Sequence, residues 1–355
     1  MPNKFPVNYI PHHGIWQKAD GKEKLRVVFN ASRKSSSGYS LNDILHVGKK
    51  LQSDIFTVLL RWRRHKIVFC SEIKMMFRMI KVDDRDVDLQ RILWRRPGDK
   101  SVTHFQLLTV TYGTASAPFL AGRVLKELAE KEKDNYPKAA RVINEETYVD
   151  DICTEADNHT SQKRAHFSFI TGGFPLRKWS SNNPKILEGL STEERLRPEW
   201  INFQTDGPIK TLGVSWDASS DNFCFKAPID IGLKHLTKRQ FLSQIARLFD
   251  PNGWLAPVTV EAKIFMQQLW KHKLGWDDVL PDVLNFKWVS FLKTLPDVSK
   301  LQMPRWVSLT KDSTVQLHAF GDTSKKAYAA AIYIRVIIKP VSAHGCLLQK
   351  LKLLH

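Results

Sequence analysis

The chain has 355 residues, of which 43% are hydrophobic and 25% are charged. This composition excludes a disordered protein and allows two or three domains with buried cores. Its 54 Lys and Arg residues outnumber its 36 Asp and Glu residues, giving a formal charge of +18. A surplus of this size is typical of a protein with a polyanionic partner, but the charge alone fits a solvated basic surface equally well. No run reaches the roughly 18 apolar residues that span a bilayer, and no run resembles a secretory signal. The four cysteines lack the paired spacing of metal ligands, so we expect buried thiols and an intracellular protein.

The first part of the chain is predicted to contain three strands and two helices. Runs rich in β-branched and aromatic residues predict strands over 25–29, 66–73 and 105–112. Apolar residues at helical spacing predict helices over 54–65 and 117–133.

The second part is predicted to begin with a hairpin over 145–154 that has two adjacent carboxylates at its centre. A short helix over 161–171 follows and ends at a glycine pair. The remaining predicted elements are strands over 209–214 and 223–225, helices over 237–247 and 258–272, and a strand over 317–322.

The motif Tyr148-Val149-Asp150-Asp151 is the strongest local signal for chemistry. Adjacent residues of a strand point to opposite faces, so both carboxylates can serve one site only at a tight hairpin turn. Two carboxylates held together repel each other unless cations compensate. Mg²⁺ binds through one or two carboxylates plus substrate phosphates, and two such ions can hold both oxygens of a phosphoryl transfer. The alternative for a bare pair of this kind is an exposed acidic turn.

Further motifs accompany this one in a fixed order along the chain. They are Tyr9-Ile10-Pro11-His12-His13, Lys24-Leu25-Arg26-Val27-Val28-Phe29-Asn30-Ala31-Ser32, Ser40-Leu41-Asn42-Asp43-Ile44-Leu45, Val110-Thr111-Tyr112-Gly113-Thr114, Leu176-Arg177-Lys178-Trp179-Ser180-Ser181-Asn182 and Phe249-Asp250-Pro251-Asn252-Gly253-Trp254-Leu255-Ala256-Pro257. Together they resemble the reverse transcriptase region of BEL/Pao-type LTR retrotransposon polyproteins, over residues 9–335.

This resemblance implies an α+β, right-hand polymerase fold with fingers, an antiparallel palm sheet, a helical thumb and a connection. A truncated ribonuclease H-like stub would follow. The implied domains are fingers and palm over 1–200, thumb and connection over 201–310, and the ribonuclease H start over 311–355.

The resemblance also implies a catalytic and metal-binding trio of Glu72, Asp150 and Asp151. They would hold two Mg²⁺ ions, for which Mn²⁺ can substitute. The family normally has Asp at the position of Glu72, and the extra methylene would displace the metal or its ligand; misplacement of about an ångström can cost roughly a hundredfold in rate. The alternative for Glu72 is a surface acidic residue.

The implied nucleotide-binding residues are Lys24, Arg26, Phe77, Tyr112 and Gly113. Lys24 and Arg26 correspond to residues that hold the triphosphate, for which the fork of Arg is suited. Phe77 would select deoxynucleotides by clashing with a 2′-hydroxyl, and Gly113 with Tyr112 would lie against the nascent base pair. The alternatives are a core role for Phe77 and a solvated basic strand for Arg26.

Contacts to the primer and template are implied for Lys178 and Trp179, although a core position is the alternative for Trp179. Basic residues interleaved with Trp270 and Trp276 after residue 237 are typical of a nucleic-acid track. Asp322 resembles a residue of the first ribonuclease H strand. No Asp or Glu follows Asp322, so we expect a ribonuclease H remnant without nuclease activity.

The implied function is RNA-directed DNA polymerization, in which a primer 3′-hydroxyl attacks a deoxynucleoside triphosphate. The partners are then an RNA or DNA primer–template and deoxynucleoside triphosphates, with no membrane and with the oligomeric state left open. The location would be intracellular, in a cytoplasmic retroelement particle, the nucleus or both. The alternatives are a degenerate remnant that only binds nucleic acid, a host-domesticated nucleic-acid-binding protein, and a less favoured metal-dependent hydrolase of another class.

Overall fold

The computed structural model describes residues 6–19, 22–156, 169, 172–195, 201–202, 214–225, 236–338 and 341–353. Its α-helices are α1 (Leu41–Ile44), α2 (Ile55–Trp62), α3 (Ala117–Glu132), α4 (Pro137–Glu145), α5 (Lys238–Ile245), α6 (Ala256–Lys271) and α7 (Asp282–Thr294). Its strands are β1 (His12–Ala19), β2 (Lys22–Phe29), β3 (Val68–Ile73), β4 (Arg91–Trp94), β5 (Thr103–Gln106), β6 (Thr147–Tyr148), β7 (Asp151–Glu155), β8 (Leu176–Ser181), β9 (Ile201–Asn202), β10 (Val214–Asp217), β11 (Asn222–Phe225), β12 (Gln302–Pro304), β13 (Thr314–Thr323), β14 (Ala327–Ile338) and β15 (Val341–Leu353). Short 3₁₀ helices cover Met76–Met79, Val87–Gln90, Pro184–Leu187 and Leu295–Lys300. The predicted mixture of helices and strands is confirmed.

The chain divides into two compact units, each assembled from segments that are far apart in sequence. Unit 1 consists of Met1–Ser53, Glu72–Ile152 and Thr160–Arg177. Unit 2 consists of Asp54–Ser71, Cys153–His159 and Lys178–His355. The domain boundaries implied by the resemblance stay predictions.

Unit 1 combines the antiparallel hairpins β1–β2 and β4–β5 with the helix pair α3 and α4. In the first hairpin His12 lies opposite Phe29, so the strands pair over their full length. α3 has Pro118 in its first turn, where the missing N–H costs nothing. One face of α3 is buried at four-residue intervals by Ala117, Ala121, Leu125 and Ala129. This spacing explains why the sequence predicts a helix here.

A four-stranded sheet has the order β6–β7–β3–β8. In unit 1, the Ile73 N–H donates to the Asp150 carbonyl over 2.8 Å. In unit 2, the buried Phe69 ring of β3 lies 5.0 Å from the buried Trp179 ring of β8. β3 is therefore an inner strand with a neighbouring strand on each side, and this position explains its run of apolar residues.

Unit 2 contains a four-stranded sheet in the order β12–β11–β10–β9 and an antiparallel sheet in the order β13–β14–β15. Rings of Phe241, Phe265 and Trp288, from α5, α6 and α7, lie 4.3–5.5 Å apart and form an aromatic cluster. α5 begins with a capping box, in which Thr237 Oγ1 accepts the Gln240 N–H at 3.3 Å and Gln240 Oε1 accepts the Thr237 N–H at 3.0 Å. This reciprocal pair defines the helix start that the sequence predicts.

The predicted strand over 105–112 continues as part of β5 only to Gln106, and beyond it Thr109 forms an isolated antiparallel bridge with Lys81. The Gln90 side-chain amide donates to the carbonyl groups of Leu107 and Thr109. Gly113 then has a φ of +92°, which reverses the chain. A polar side chain therefore satisfies carbonyls that a strand neighbour would otherwise use.

The predicted helix over 161–171, apart from residue 169, and the predicted strand residues 209–213 lie outside the described residues. Cys70, Cys153 and Cys224 are buried thiols, as predicted. Within the described ranges no helix is long and apolar enough to cross a membrane.

Candidate functional site

The paired carboxylates lie at a two-residue turn between β6 and β7. Tyr148 is paired with Asp151, so Val149 and Asp150 form the turn itself. Val149 has a φ of +56°, which strains a β-branched residue by roughly 1–3 kcal/mol. The Gln52 side-chain oxygen accepts the Val149 N–H at 3.1 Å and helps to hold this conformation. The predicted hairpin is confirmed, and its strain is of the kind found at functional sites.

Glu72 lies on the strand beside this turn. β3 neighbours β7 in the sheet, and the Asp150 carbonyl accepts the N–H of Ile73, the residue after Glu72. The backbone thus places Glu72 beside the turn that carries Asp150, although the two residues are nearly 80 positions apart in sequence. We expected the carboxylate oxygens of Glu72 and Asp150 to converge on one point. The structure places Glu72 on β3 beside the turn that carries Asp150, and the convergence of their oxygens stays a prediction.

Arg177 of β8 forms an ion pair with Glu72, with 2.5 Å between Nη2 and Oε1. The Glu72 side chain is only 13% exposed, so this contact is shielded from solvent. Among the described residues, no three His, Cys, Asp or Glu side chains are grouped so that they could hold a metal ion. Metal binding by Glu72, Asp150 and Asp151 therefore stays a prediction. The ion pair between Arg177 and Glu72 was not predicted from the sequence.

Tyr112 and Gly113 lie against β2. The Tyr112 hydroxyl donates to the Val27 carbonyl over 2.7 Å, and its ring meets that of Phe29 edge-on at 5.1 Å. A Cβ atom on Gly113 would come within 2.7 Å of the Phe29 carbonyl oxygen, so only glycine fits. Gly113 is therefore required because its backbone lies close to the backbone of β2.

The predicted nucleotide-binding residues come from three segments of unit 1. Lys24 and Arg26 are exposed on β2, and Phe77 is half-buried in the 3₁₀ helix Met76–Met79. Burial raises the pKa of Tyr112, while the positive charges of Arg78 and Arg26 act in the opposite direction. Arg78 was missed by the sequence analysis, because nothing in its local pattern distinguishes it from a solvated arginine.

The predicted primer–template residues have different surroundings. Lys178 is exposed and has a φ of +56° within β8. Trp179 is fully buried against Phe69, so its side chain has no surface to offer a nucleic acid. The structure corrects the predicted contact of Trp179 in favour of the core alternative.

The C-terminal candidates also differ in their surroundings. Asp322 is exposed on β13, lies opposite Ala329 and accepts the Thr323 N–H at 2.8 Å. Lys238 is buried, with its ammonium 3.3 Å from the centre of the Trp270 ring. This cation–π contact uses the Lys238 charge inside the protein, so this lysine does not belong to an exposed nucleic-acid track.

A family model described as a Pao retrotransposon-like RNaseH-like domain matches residues 237–351, about a third of the chain. The match begins within the segment predicted as thumb and connection. No curated protein matches the sequence.

Two solved structures share the fold of this chain. One is a foamy viral protease-reverse transcriptase in complex with double-stranded DNA, with a TM-score of 0.57 and 12% identity over 97% of this chain. The other is the foamy viral protease-reverse transcriptase in complex with an RNA/DNA hybrid, with a TM-score of 0.57 and 12% identity over 99% of this chain. This chain is thus similar to retroelement reverse transcriptase and ribonuclease H regions. It covers 51% and 40% of those two chains, so it spans about half of their length or less.

Proposed function

We propose that this chain is the polymerase region of a retrotransposon reverse transcriptase, which extends a primer 3′-hydroxyl with deoxynucleotides on an RNA template. The observation that carries this proposal is the strained turn at Val149 and Asp150 beside β3. If this acidic turn had no function, we would expect a residue that tolerates positive φ in place of Val149. The likeness in fold to the foamy viral structures supports the same conclusion.

The donor chemistry of Asp150 and Asp151 fits Mg²⁺, because one or two carboxylates suffice when substrate phosphates supply further oxygens. Glu72 fits less well as a third ligand, since Arg177 already neutralises it. When bound, two such ions would neutralise the charge of the reacting phosphate and hold both oxygens of the transfer, and Mn²⁺ would substitute.

The other residues would bind and orient the nucleotide. Lys24 and Arg26 are exposed cations suited to the triphosphate. Phe77 would exclude a 2′-hydroxyl, and Tyr112 with Gly113 would support the nascent base pair. Catalysis would then consist mainly of positioning and charge neutralisation.

Primer extension on a primed RNA template, with Mg²⁺ and with Mn²⁺, tests this function. Asp150→Asn should abolish incorporation of deoxynucleotides, whereas the exposed Asp99→Asn makes the same charge change and should leave incorporation unchanged. Equal incorporation by wild type and Asp150→Asn would contradict the proposal.

A second candidate is a retroelement remnant that binds nucleic acid without extending primers. The Glu72–Arg177 ion pair favours this candidate, because it engages a carboxylate that a two-metal polymerase would need. The remnant should bind a primer–template with an affinity that falls steeply with salt, and it should show no incorporation in either metal. Extension that depends on Asp150 would exclude it.

A further inference from the structure

Two buried cysteines of unit 2 face each other from neighbouring strands. The Sγ atoms of Cys70 on β3 and Cys153 on β7 are 3.5 Å apart. The two residues are 3% and 1% exposed, and both are thiols in this structure. They are 83 positions apart in the chain, so the pairing of β3 with β7 is what brings them together.

Backbone hydrogen bonds fix the register of these two strands. The Ile73 N–H donates to the Asp150 carbonyl over 2.8 Å, and the Ala156 N–H donates to the Ile67 carbonyl over 2.9 Å. Residue numbers therefore rise along β3 as they fall along β7, which makes the pairing antiparallel. Three positions inward from either bond, this register places Cys70 directly opposite Cys153.

The register also decides which kind of pair the cysteines form. In antiparallel strands, pairs that exchange backbone hydrogen bonds alternate with pairs that exchange none. Cys70 and Cys153 lie an odd number of positions from both bonded pairs, so they form a pair of the second kind. The Cα atoms of such a pair are about 4.5 Å apart, and its side chains lie on one face of the sheet. A disulfide needs Cα atoms roughly 4.4–6.8 Å apart, so the backbone accommodates a bridge here without moving the strands.

Proximity and burial together determine the reactivity of these thiols. A thiol held against a second thiol reacts as an intramolecular group, with an effective concentration far above that of a dissolved reagent. Burial slows the first attack, because an oxidant reaches the sulfur atoms only when the sheet opens locally. A small, uncharged peroxide is the class of oxidant that suits such a site.

We propose that Cys70 and Cys153 are a reversible oxidation site, at which a peroxide converts the two thiols into a cross-strand disulfide. The sulfur of one thiol attacks the O–O bond of hydrogen peroxide, which gives a sulfenic acid and one water that carries the thiol proton. The second sulfur then attacks the sulfenic sulfur, the S–S bond forms, and the hydroxyl group leaves as water with the second thiol proton. The thiols lose two electrons and two protons, and the peroxide is reduced to two waters.

The bridge has a predictable effect on stability. It cross-links residues that are 83 positions apart. Closing a loop of that length restricts the unfolded chain, so the oxidised protein should be the more stable form. The Cα separation lies at the short end of the range for disulfides, so the bridge is strained and a dithiol such as dithiothreitol should reduce it. The site thus couples the stability of this sheet to the oxidation state of two thiols.

Peptide mapping of the full chain after treatment with hydrogen peroxide tests the site independently of polymerase activity. The remaining thiols are blocked with N-ethylmaleimide during unfolding, so that disulfides cannot exchange. Trypsin should then release peptides 67–74 and 142–163 linked to each other, with the mass of both peptides less two hydrogen atoms. Dithiothreitol should separate them. The oxidised protein should melt roughly 5 °C or more above the reduced protein.

Cys224→Ser is the matched control, because Cys224 is also buried in unit 2 but its Sγ contacts the Asn222 carbonyl at 3.8 Å. This variant should give the same linked peptides as wild type, whereas Cys70→Ser should lose both the linked peptides and the rise in melting temperature. The mapping of wild type decides the question even if Cys70→Ser does not fold. The site would be overturned if peroxide left both thiols of wild type open to N-ethylmaleimide, if it oxidised each of them only to a sulfonic acid, or if either cysteine were linked to Cys224 or Cys346 instead. An oxidised protein that melts below the reduced protein would also overturn it.

Discussion

Replacement of Arg305 by Met should destabilise unit 2 more than any surface substitution, because all five N–H groups of this arginine are used. Nε and Nη2 donate to the two carboxylate oxygens of Asp221, at 2.7 and 2.9 Å. The remaining bonds go to the carbonyl groups of Trp62, His65 and Lys66, at 2.7, 2.8 and 3.2 Å. Arg305 therefore neutralises one acid and caps the carboxyl end of α2 at the same time.

The expected loss follows from the burial of the pair. The Arg305 side chain is 0% exposed and that of Asp221 is 26% exposed. Met fills a similar volume but leaves the carbonyl groups of Trp62, His65 and Lys66 without this donor. It also removes the cation from the Asp221 carboxylate, which keeps the neutral donors Asn182 Nδ2 and Trp216 Nε1. Removing one partner of a buried pair costs about 3–5 kcal/mol, which is a large part of the ~5–15 kcal/mol that stabilises a typical protein.

Arg239 and Asp277 provide a matched control on the surface of the same unit. Their bonds have the same lengths, 2.7 Å from Nε and 2.9 Å from Nη2, but their side chains are 63% and 71% exposed. Arg239→Met should therefore cost at most about 1 kcal/mol. Urea unfolding followed by tryptophan fluorescence compares the two variants. Equal losses of unfolding free energy would show that burial does not determine how strongly the pair of Arg305 and Asp221 stabilises unit 2.

Three further predictions concern other parts of the molecule. Gly122→Ala should raise the unfolding free energy by about 0.5–1 kcal/mol, since Gly122 lies inside α3 and the added Cβ would only touch Leu51 at 3.6 Å; thermal unfolding measures the gain. Burial raises the pKa of the Asp250 carboxyl to about 6. The folded state therefore holds this proton more tightly than the unfolded state does. The free energy of unfolding should fall by about 3 kcal/mol as the pH rises from the ordinary pKa of 3.8 to 6. Urea unfolding between pH 4 and 7 should show that Asp250→Asn lacks this decline. Arg177→Gln should tighten Mn²⁺ binding, measured by electron paramagnetic resonance, because Glu72 loses its competing cation; unchanged affinity would argue against Glu72 as a ligand.

The sequence pattern was enough to predict those helices and turns that are determined by residues close together in the chain. The apolar spacing within 117–133 predicts α3 to within a residue, and Thr237 with Gln240 marks the start of α5. The hairpin at Asp150 was predictable because paired carboxylates can serve one site only at a tight turn. In each case the deciding residues lie within a few positions of one another.

Contacts between distant residues could not be predicted in this way. Arg177 is 105 positions from Glu72, and its own sequence neighbours give no reason to expect the ion pair. The burial of Trp179 depends on Phe69 of another strand. The end of β5 depends on the Gln90 side chain, which takes carbonyls that a strand would use. Such contacts are set by the packing of the whole unit, which the periodicity of a single segment does not specify.

The net charge of the chain does not show which of its cationic side chains lie on the surface. Arg63, Arg305 and Lys238 are buried, and their donors are directed to groups of the protein itself, which are carbonyl groups, aromatic rings and, for Arg305, the Asp221 carboxylate. Their charges count toward the total of +18 but contact no external partner. Arg26 and Arg78, in contrast, are exposed. A search for the anion-binding surface should therefore begin from exposed cations without an acidic partner, because only these release counterions when a phosphate binds.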